Sequence, residues 1–118
     1  MKAKTNLTML CDFYELTMGN GYFQTGLADR ICYFDVFYRS VPDKGGFAIA
    51  AGLAQVVEYI ENLCFDEEDI AYLQSKGCFA PEFLDYLRTF RFTGDIWAVP
   101  EGTPIFPGEP ILTVRAPA

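Results

Sequence analysis

Asp12, Tyr14 and Arg39 have the residue types and settings that could do chemistry in this 118-residue chain. A tyrosine one turn into a capped helix can lay its ring flat against a planar heteroaromatic ligand, and offset stacking adds about 0.5–1.5 kcal/mol beyond the buried area. The same ring can instead pack in a core or a dimer contact, the ordinary fate of an isolated tyrosine. Asp12 can accept a hydrogen bond from a ligand amide or hydroxyl while its second oxygen caps the helix, a duty worth about 1 kcal/mol. Arg39 closes a β-like run whose other charge, Asp35, stands about 13 Å back along the strand. An unpaired guanidinium there can hold a phosphate. A surface ion pair, worth about 1 kcal/mol or less, is its commoner use.

Other chemistry is excluded by what the sequence lacks. With no histidine anywhere, there is no Ser-His-Asp triad, no Cys-His pair and no histidine-based metal site. No catalytic residue and no metal ligand is expected. Cys11, Cys32, Cys64 and Cys78 form no C-x-x-C pair, so reduced, mostly buried thiols are expected. Gly19-Asn20-Gly21 and Gly45-Gly46 fit neither a P-loop nor a G-x-G-x-x-G element and suit turns or close packing. Glu101 and Glu109 bracket a proline-rich ribbon, but nothing fixes their separation, and they are not counted as a pair of acids.

The formal charge of −7 argues against nucleic acid and anionic membrane surfaces, because phosphate affinity comes from clustered Lys and Arg. It also requires an enzyme of anionic substrates to obtain its positive lining from local cations or helix N-termini. No apolar run approaches the roughly 18 residues of a membrane span, so a cytoplasmic location is expected. Eleven Phe, seven Tyr and one Trp can furnish a core or an uncovered partner surface.

These candidates depend on elements readable from periodicity. A helix is predicted from Asp12 to about Phe23, opened by a capping box between Asp12 and Glu15 and frayed by Gly19, Gly21 and Gly26. Tyr14, Met18 and Tyr22 share one stripe of it, and Phe13, Leu16 and Thr17 a neighbouring face. Ile31 to Ser40 alternates as a strand, with Cys32, Phe34, Val36 and Tyr38 on one side. Pro42 to Gly46 signals a turn, and Phe47 to Ala51 resumes as a short strand in a hairpin-like unit. Leu53, Val56, Val57, Ile60 and Leu63 follow the helical period. Asp66 to Asp69 opens a further helix that ends near Lys76 and Gly77. Pro81 begins another, with Phe83, Leu84, Leu87 and Phe90 inward and Asp85 and Arg88 outward. Asp95 to Val99 and Ile111 to Arg115 read as strands, and the prolines between them suit edges and bends. The sum is one α+β domain without a linker, helices packed on a mostly antiparallel sheet.

Leu10-Cys11-Asp12-Phe13-Tyr14-Glu15-Leu16-Thr17-Met18, Phe34-Asp35-Val36-Phe37-Tyr38-Arg39 and Gly45-Gly46-Phe47-Ala48-Ile49-Ala50-Ala51-Gly52 resemble, in order and spacing, the opening of the nicotinate phosphoribosyltransferases. Phe92-Thr93-Gly94-Asp95 and Pro100-Glu101-Gly102-Thr103 extend the resemblance over essentially the whole chain. It implies residues 1–118 are the N-terminal domain of a type II phosphoribosyltransferase. Such enzymes join nicotinate to phosphoribosyl pyrophosphate with ATP hydrolysis in NAD salvage. It further implies a homodimer in which Tyr14, with Asp12, stacks on the pyridine ring in the neighbouring subunit's site, and Arg39 approaches the phosphate region. ATP and Mg²⁺ then serve the complete enzyme, whose later barrel-like domain carries the phosphorylated histidine. None is expected to bind this stretch alone, which is expected to be inactive by itself. A non-catalytic dimerisation or binding module, or a quinolinate or nicotinamide relative, is the alternative.

Overall fold

The computed structural model describes residues 5–118, which form four helices and five strands in an α+β arrangement with antiparallel sheets. They fall into two compact units. One is helical and takes the described residues through Arg30, together with Tyr59–Phe92 and Ala118; the other is β-rich and takes Ile31–Glu58 and Thr93–Pro117.

In the helical unit, α1 (Phe13–Gln24), α3 (Glu67–Ser75) and α4 (Pro81–Arg88) meet around Leu16, Phe65, Ile70, Leu73, Phe83, Leu84 and Leu87. The inward stripe of α4 is the one its 3.6-residue period predicts, with Pro81 in the first turn and Arg88 turned out to Glu67 at 3.1 Å and to Asp85. α3 opens with a complete capping box: Asp66 accepts from the Asp69 N–H at 2.9 Å, and Asp69 accepts from the Asp66 N–H at 3.1 Å. Gly77 then stops the chain at φ +68°, a left-handed conformation that suits glycine.

α1 departs from its expected details. Its capping box is absent: the Asp12 side chain bonds no backbone N–H, and only the Asp12 carbonyl accepts from the Glu15 N–H, at 3.1 Å. Gly19 and Gly21 lie inside the helix instead of fraying it. A Cβ on Gly19 would sit 3.4 Å from the Phe83 ring, so this glycine marks a close helix approach. The buried face is Leu16 and Asn20, not the Tyr14–Met18–Tyr22 stripe. Asn20 is tolerated there because its Oδ1 accepts the Ala80 N–H at 3.0 Å, ahead of α4.

In the β-rich unit, β1 (Ile31–Val36), β5 (Leu112–Pro117) and β3 (Asp95–Ala98) form an antiparallel sheet in the order β1-β5-β3. β1 stops four residues before the expected end, at Val36. Tyr38 lies beyond it, its hydroxyl donating to the Ile105 carbonyl at 2.7 Å. The predicted turn bends at Lys44 and Gly46, both with positive φ. The strand after it shrinks to β2 (Ala48–Ile49), which pairs with β4 (Pro104–Ile105) and not with β1, so the hairpin-like unit does not form. Register puts Tyr33, Arg115 and Asp95 side by side. Arg115 donates to the Tyr33 hydroxyl at 3.1 Å and to Asp95 at 3.0 Å.

The aromatic surplus is divided between core and surface. Phe65 and Phe83 are buried in the helical core, whereas Phe34 on β1 is 65% exposed and Trp97 on β3 is 56% exposed. α2 (Leu53–Glu61) forms as its periodicity requires, yet it has no buried residue, and Val56 and Val57 face outward.

Candidate functional site

Tyr14 is the second residue of α1, and because Leu16 and Asn20 turn that helix inward on another side, the Tyr14 ring is 59% exposed. Phe13 beside it is held by an edge-on contact with Phe79, ring centroids 5.7 Å apart, which fixes the first turn against the helical unit. Asp12 sits at the N-cap with extended backbone, φ −71° and ψ 142°. Its exposed carboxylate makes no hydrogen bond or ion pair among the described residues, so neither oxygen is committed to capping. An acidic group and a flat phenol ring thus flank Phe13 at one helix start, both open to solvent.

Arg39 belongs to the other unit. It follows β1, is exposed, and makes no ion pair or hydrogen bond among the described residues. Asp35, its only charged neighbour on the strand, instead accepts from the Thr113 hydroxyl at 2.6 Å.

Two titratable groups not singled out from the sequence stand near the same helix start. Partial desolvation pushes the Cys11 thiol up from its ordinary value, with the Glu15 and Asp12 charges adding to the shift. Burial also raises Tyr59, with Cys11 and Glu15 contributing. Both therefore stay protonated at neutral pH, and Cys11 has none of the thiolate character a nucleophile needs. All four cysteines are free, but the expectation of burial fails: Cys11 and Cys78 are exposed, and Cys32 and Cys64 half-buried. Cys11, Glu15 and Tyr59 line a cavity of about 240 Å³ in the helical unit, floored by Phe65, Phe83 and Leu87. Nothing in the local pattern marks it, because Cys11 and Tyr59 approach each other only through the fold.

Glu101, set aside from the sequence, has a structural duty: its Oε1 accepts from the N–H groups of Gly52 and Ala54 and caps α2. No group of three or more Cys, Asp or Glu able to hold a metal ion occurs among the described residues. No helix there is long and apolar enough to cross a membrane.

The chain is thus of the α+β class, and its described residues present an uncommitted carboxylate and an open aromatic ring on the helical unit and a bare guanidinium on the β-rich unit. The comparisons give that class its family: residues 9–118 match the nicotinate phosphoribosyltransferase (NAPRTase) N-terminal domain, and the chain belongs to this family. It is 45% identical to nicotinate phosphoribosyltransferase pncB2 of Mycobacterium tuberculosis over 92% of its own length and 23% of that protein's. Against the Bacillus subtilis nicotinate phosphoribosyltransferase the identity is 36%, over 95% of this chain and 23% of the relative. The crystal structure of human nicotinic acid phosphoribosyltransferase superposes with a TM-score of 0.81 at 34% identity, covering 91% of this chain and 22% of the human one. The chain thus spans about a quarter or less of the length of these relatives.

Proposed function

We propose that this chain is the amino-terminal part of a nicotinate phosphoribosyltransferase and supplies one aromatic wall of a pyridine site that a second subunit completes. The observation that carries the reading is the open Tyr14 ring at the start of α1, within the stretch that matches the family. Tyr14 holds the nicotinate ring by stacking, and Asp12 accepts a hydrogen bond from a ligand donor with a carboxylate free of capping duty. Arg39 meets a phosphate oxygen of phosphoribosyl pyrophosphate, a role supported by its exposure and its lack of a partner among the described residues. The functional unit is a cytoplasmic homodimer. ATP and Mg²⁺ serve the complete enzyme, and charge stabilisation at the ribosyl carbon falls to other parts of it. These 118 residues alone do not turn over nicotinate.

The test is Tyr14→Ala in a full-length enzyme carrying this domain. Loss of a stacking partner raises KM for nicotinate by about threefold to tenfold, while Tyr14→Phe keeps it near the parent value. Unchanged kinetics in a folded Tyr14→Ala dimer would discard the role.

A further inference from the structure

Arg39 has no partner of its own among the described residues, so the backbone beside it sets the point from which its guanidinium reaches out. On the N-terminal side that backbone is held closely. β1 ends at Val36, whose carbonyl accepts the Ile111 N–H at 2.8 Å. Two residues on, the Tyr38 carbonyl accepts the Gly108 N–H at 2.9 Å, and the half-buried Tyr38 donates its hydroxyl to the Ile105 carbonyl at 2.7 Å. A turn presents that Gly108 N–H: the Glu109 N–H closes it on the Phe106 carbonyl at 3.3 Å, with Pro107 and Gly108 at its centre. Gly108 has φ +77°, a conformation disfavoured for residues with a Cβ. The run from Ile105 to Ile111 is thus a splint for Val36 to Tyr38.

Beyond Tyr38 the support stops. Between Arg39 and Phe47 the hydrogen bonds of the described residues stay within the stretch: the Lys44 N–H donates to the Val41 carbonyl at 3.4 Å, and the Gly45 N–H to the Asp43 carboxylate at 2.9 Å. The chain rejoins a sheet at Ala48, which pairs with Ile105 across β2 and β4. Both ends of the stretch are therefore tied to one buried residue, Ile105, and Arg39 directly follows the first tie.

We propose that Tyr38 is a positioning residue for Arg39. Its hydroxyl, bonded to the Ile105 carbonyl, fixes the backbone from which the guanidinium meets a phosphate oxygen of phosphoribosyl pyrophosphate. The inference rests on the phosphate role given to Arg39 and is independent of the stacking role given to Tyr14. A free arginine side chain loses rotamer freedom when it grips a phosphate, and a backbone already held removes the further loss that a loose main chain would add.

Tyr38→Phe keeps the ring and removes only the hydroxyl. In a full-length enzyme carrying this domain it should raise KM for phosphoribosyl pyrophosphate by about threefold and leave KM for nicotinate at its parent value, a split that a general loss of stability does not make. Arg39→Ala should raise the same KM by about tenfold, and in that background Tyr38→Phe should add nothing. Should Tyr38→Phe fail to fold, Gly108→Ala, which strains the turn behind the neighbouring bond, is read in the same way. If Arg39→Ala raises the KM but Tyr38→Phe leaves it unchanged, raises both KM values alike, or acts equally in the Arg39→Ala background, the positioning role is overturned and the role of Arg39 stands. If Arg39→Ala itself changes nothing, both fall.

Discussion

Glu101 caps the helix that begins after Gly52: its Oε1 accepts the Gly52 N–H at 3.0 Å and the Ala54 N–H at 3.2 Å. The first turn of any helix leaves N–H groups without partners and carries a partial positive charge, and a carboxylate satisfies both. Because α2 has no buried residue, this cap is a large share of what holds it. Glu101→Ala is expected to cost about 1 kcal/mol, read as a lower urea midpoint, with faster amide exchange at Ala54. Glu101→Gln, which still accepts but lacks the charge, should fall between. An unchanged midpoint and unchanged exchange in Glu101→Ala would show that α2 is held otherwise.

That relationship was out of reach of the sequence, and the reason is physical. Local signals are short-range: Asp66 through Asp69 and Pro81 announced α3 and α4 because cap and helix are neighbours in the chain. Glu101 and Gly52 are brought together only by the fold, as are Ala48 and Ile105 across β2 and β4. The period-2 pattern marked β1 but not its partner, since the pairing of Ile31–Val36 with Leu112–Pro117 joins segments about eighty positions apart.

Core depth separates two apolar helix positions, Leu73 in the helical unit and Val57 in the β-rich unit. Leu73 has no exposed surface and is packed in the main cluster, whereas Val57 on α2 is 43% exposed. Leu73→Ala should therefore cost about 2–5 kcal/mol, the combined loss of transfer energy and packing around the hole. Val57→Ala should change stability by less than about 0.5 kcal/mol. Equal shifts in thermal or urea unfolding would contradict this division of the core.

Of the candidate site, the helix start at Asp12 was legible in the sequence, whereas the pairing of Asp12 with Tyr14 came from the family resemblance. Which face of α1 is buried could not be read: the polar Asn20 faces inward and the apolar Met18 outward. An inward asparagine is acceptable only because the Ala80 N–H needs an acceptor there, and a residue sixty positions away carries no local trace of that need.

Acid sensitivity should localise to the start of α3. The Asp69 backbone N–H and then the Asn6 carboxamide bond the ionised Asp66 and hold its carboxyl below the usual carboxylate range, although the residue is fully exposed. A carboxyl lowered in the folded state contributes stability that is complete above its unfolded value, near about pH 4, and lost as pH falls through the folded value. Stability should thus be level from neutrality to about pH 5 and decline below about pH 4. Asp66→Asn should make that acid limb shallower while leaving the neutral-pH stability little changed, since asparagine also caps helices. An unaltered acid limb in urea unfolding at stepped pH would assign the acid loss to other carboxylates.

Two glycines of the helical unit should respond in opposite directions to the same substitution. Gly21 lies inside α1 with nothing within 4 Å of the place a Cβ would take, so alanine meets no clash. Its methyl also restricts the unfolded chain and favours the helix, and Gly21→Ala should stabilise by about 0.5–1 kcal/mol. Gly77 also has open space, but its φ of +68° after α3 disfavours any residue with a Cβ. Gly77→Ala should therefore destabilise by about 1 kcal/mol. Urea midpoints moving up for the first and down for the second are the expected result. A stabilising Gly77→Ala would mean that α3 ends in another conformation in solution.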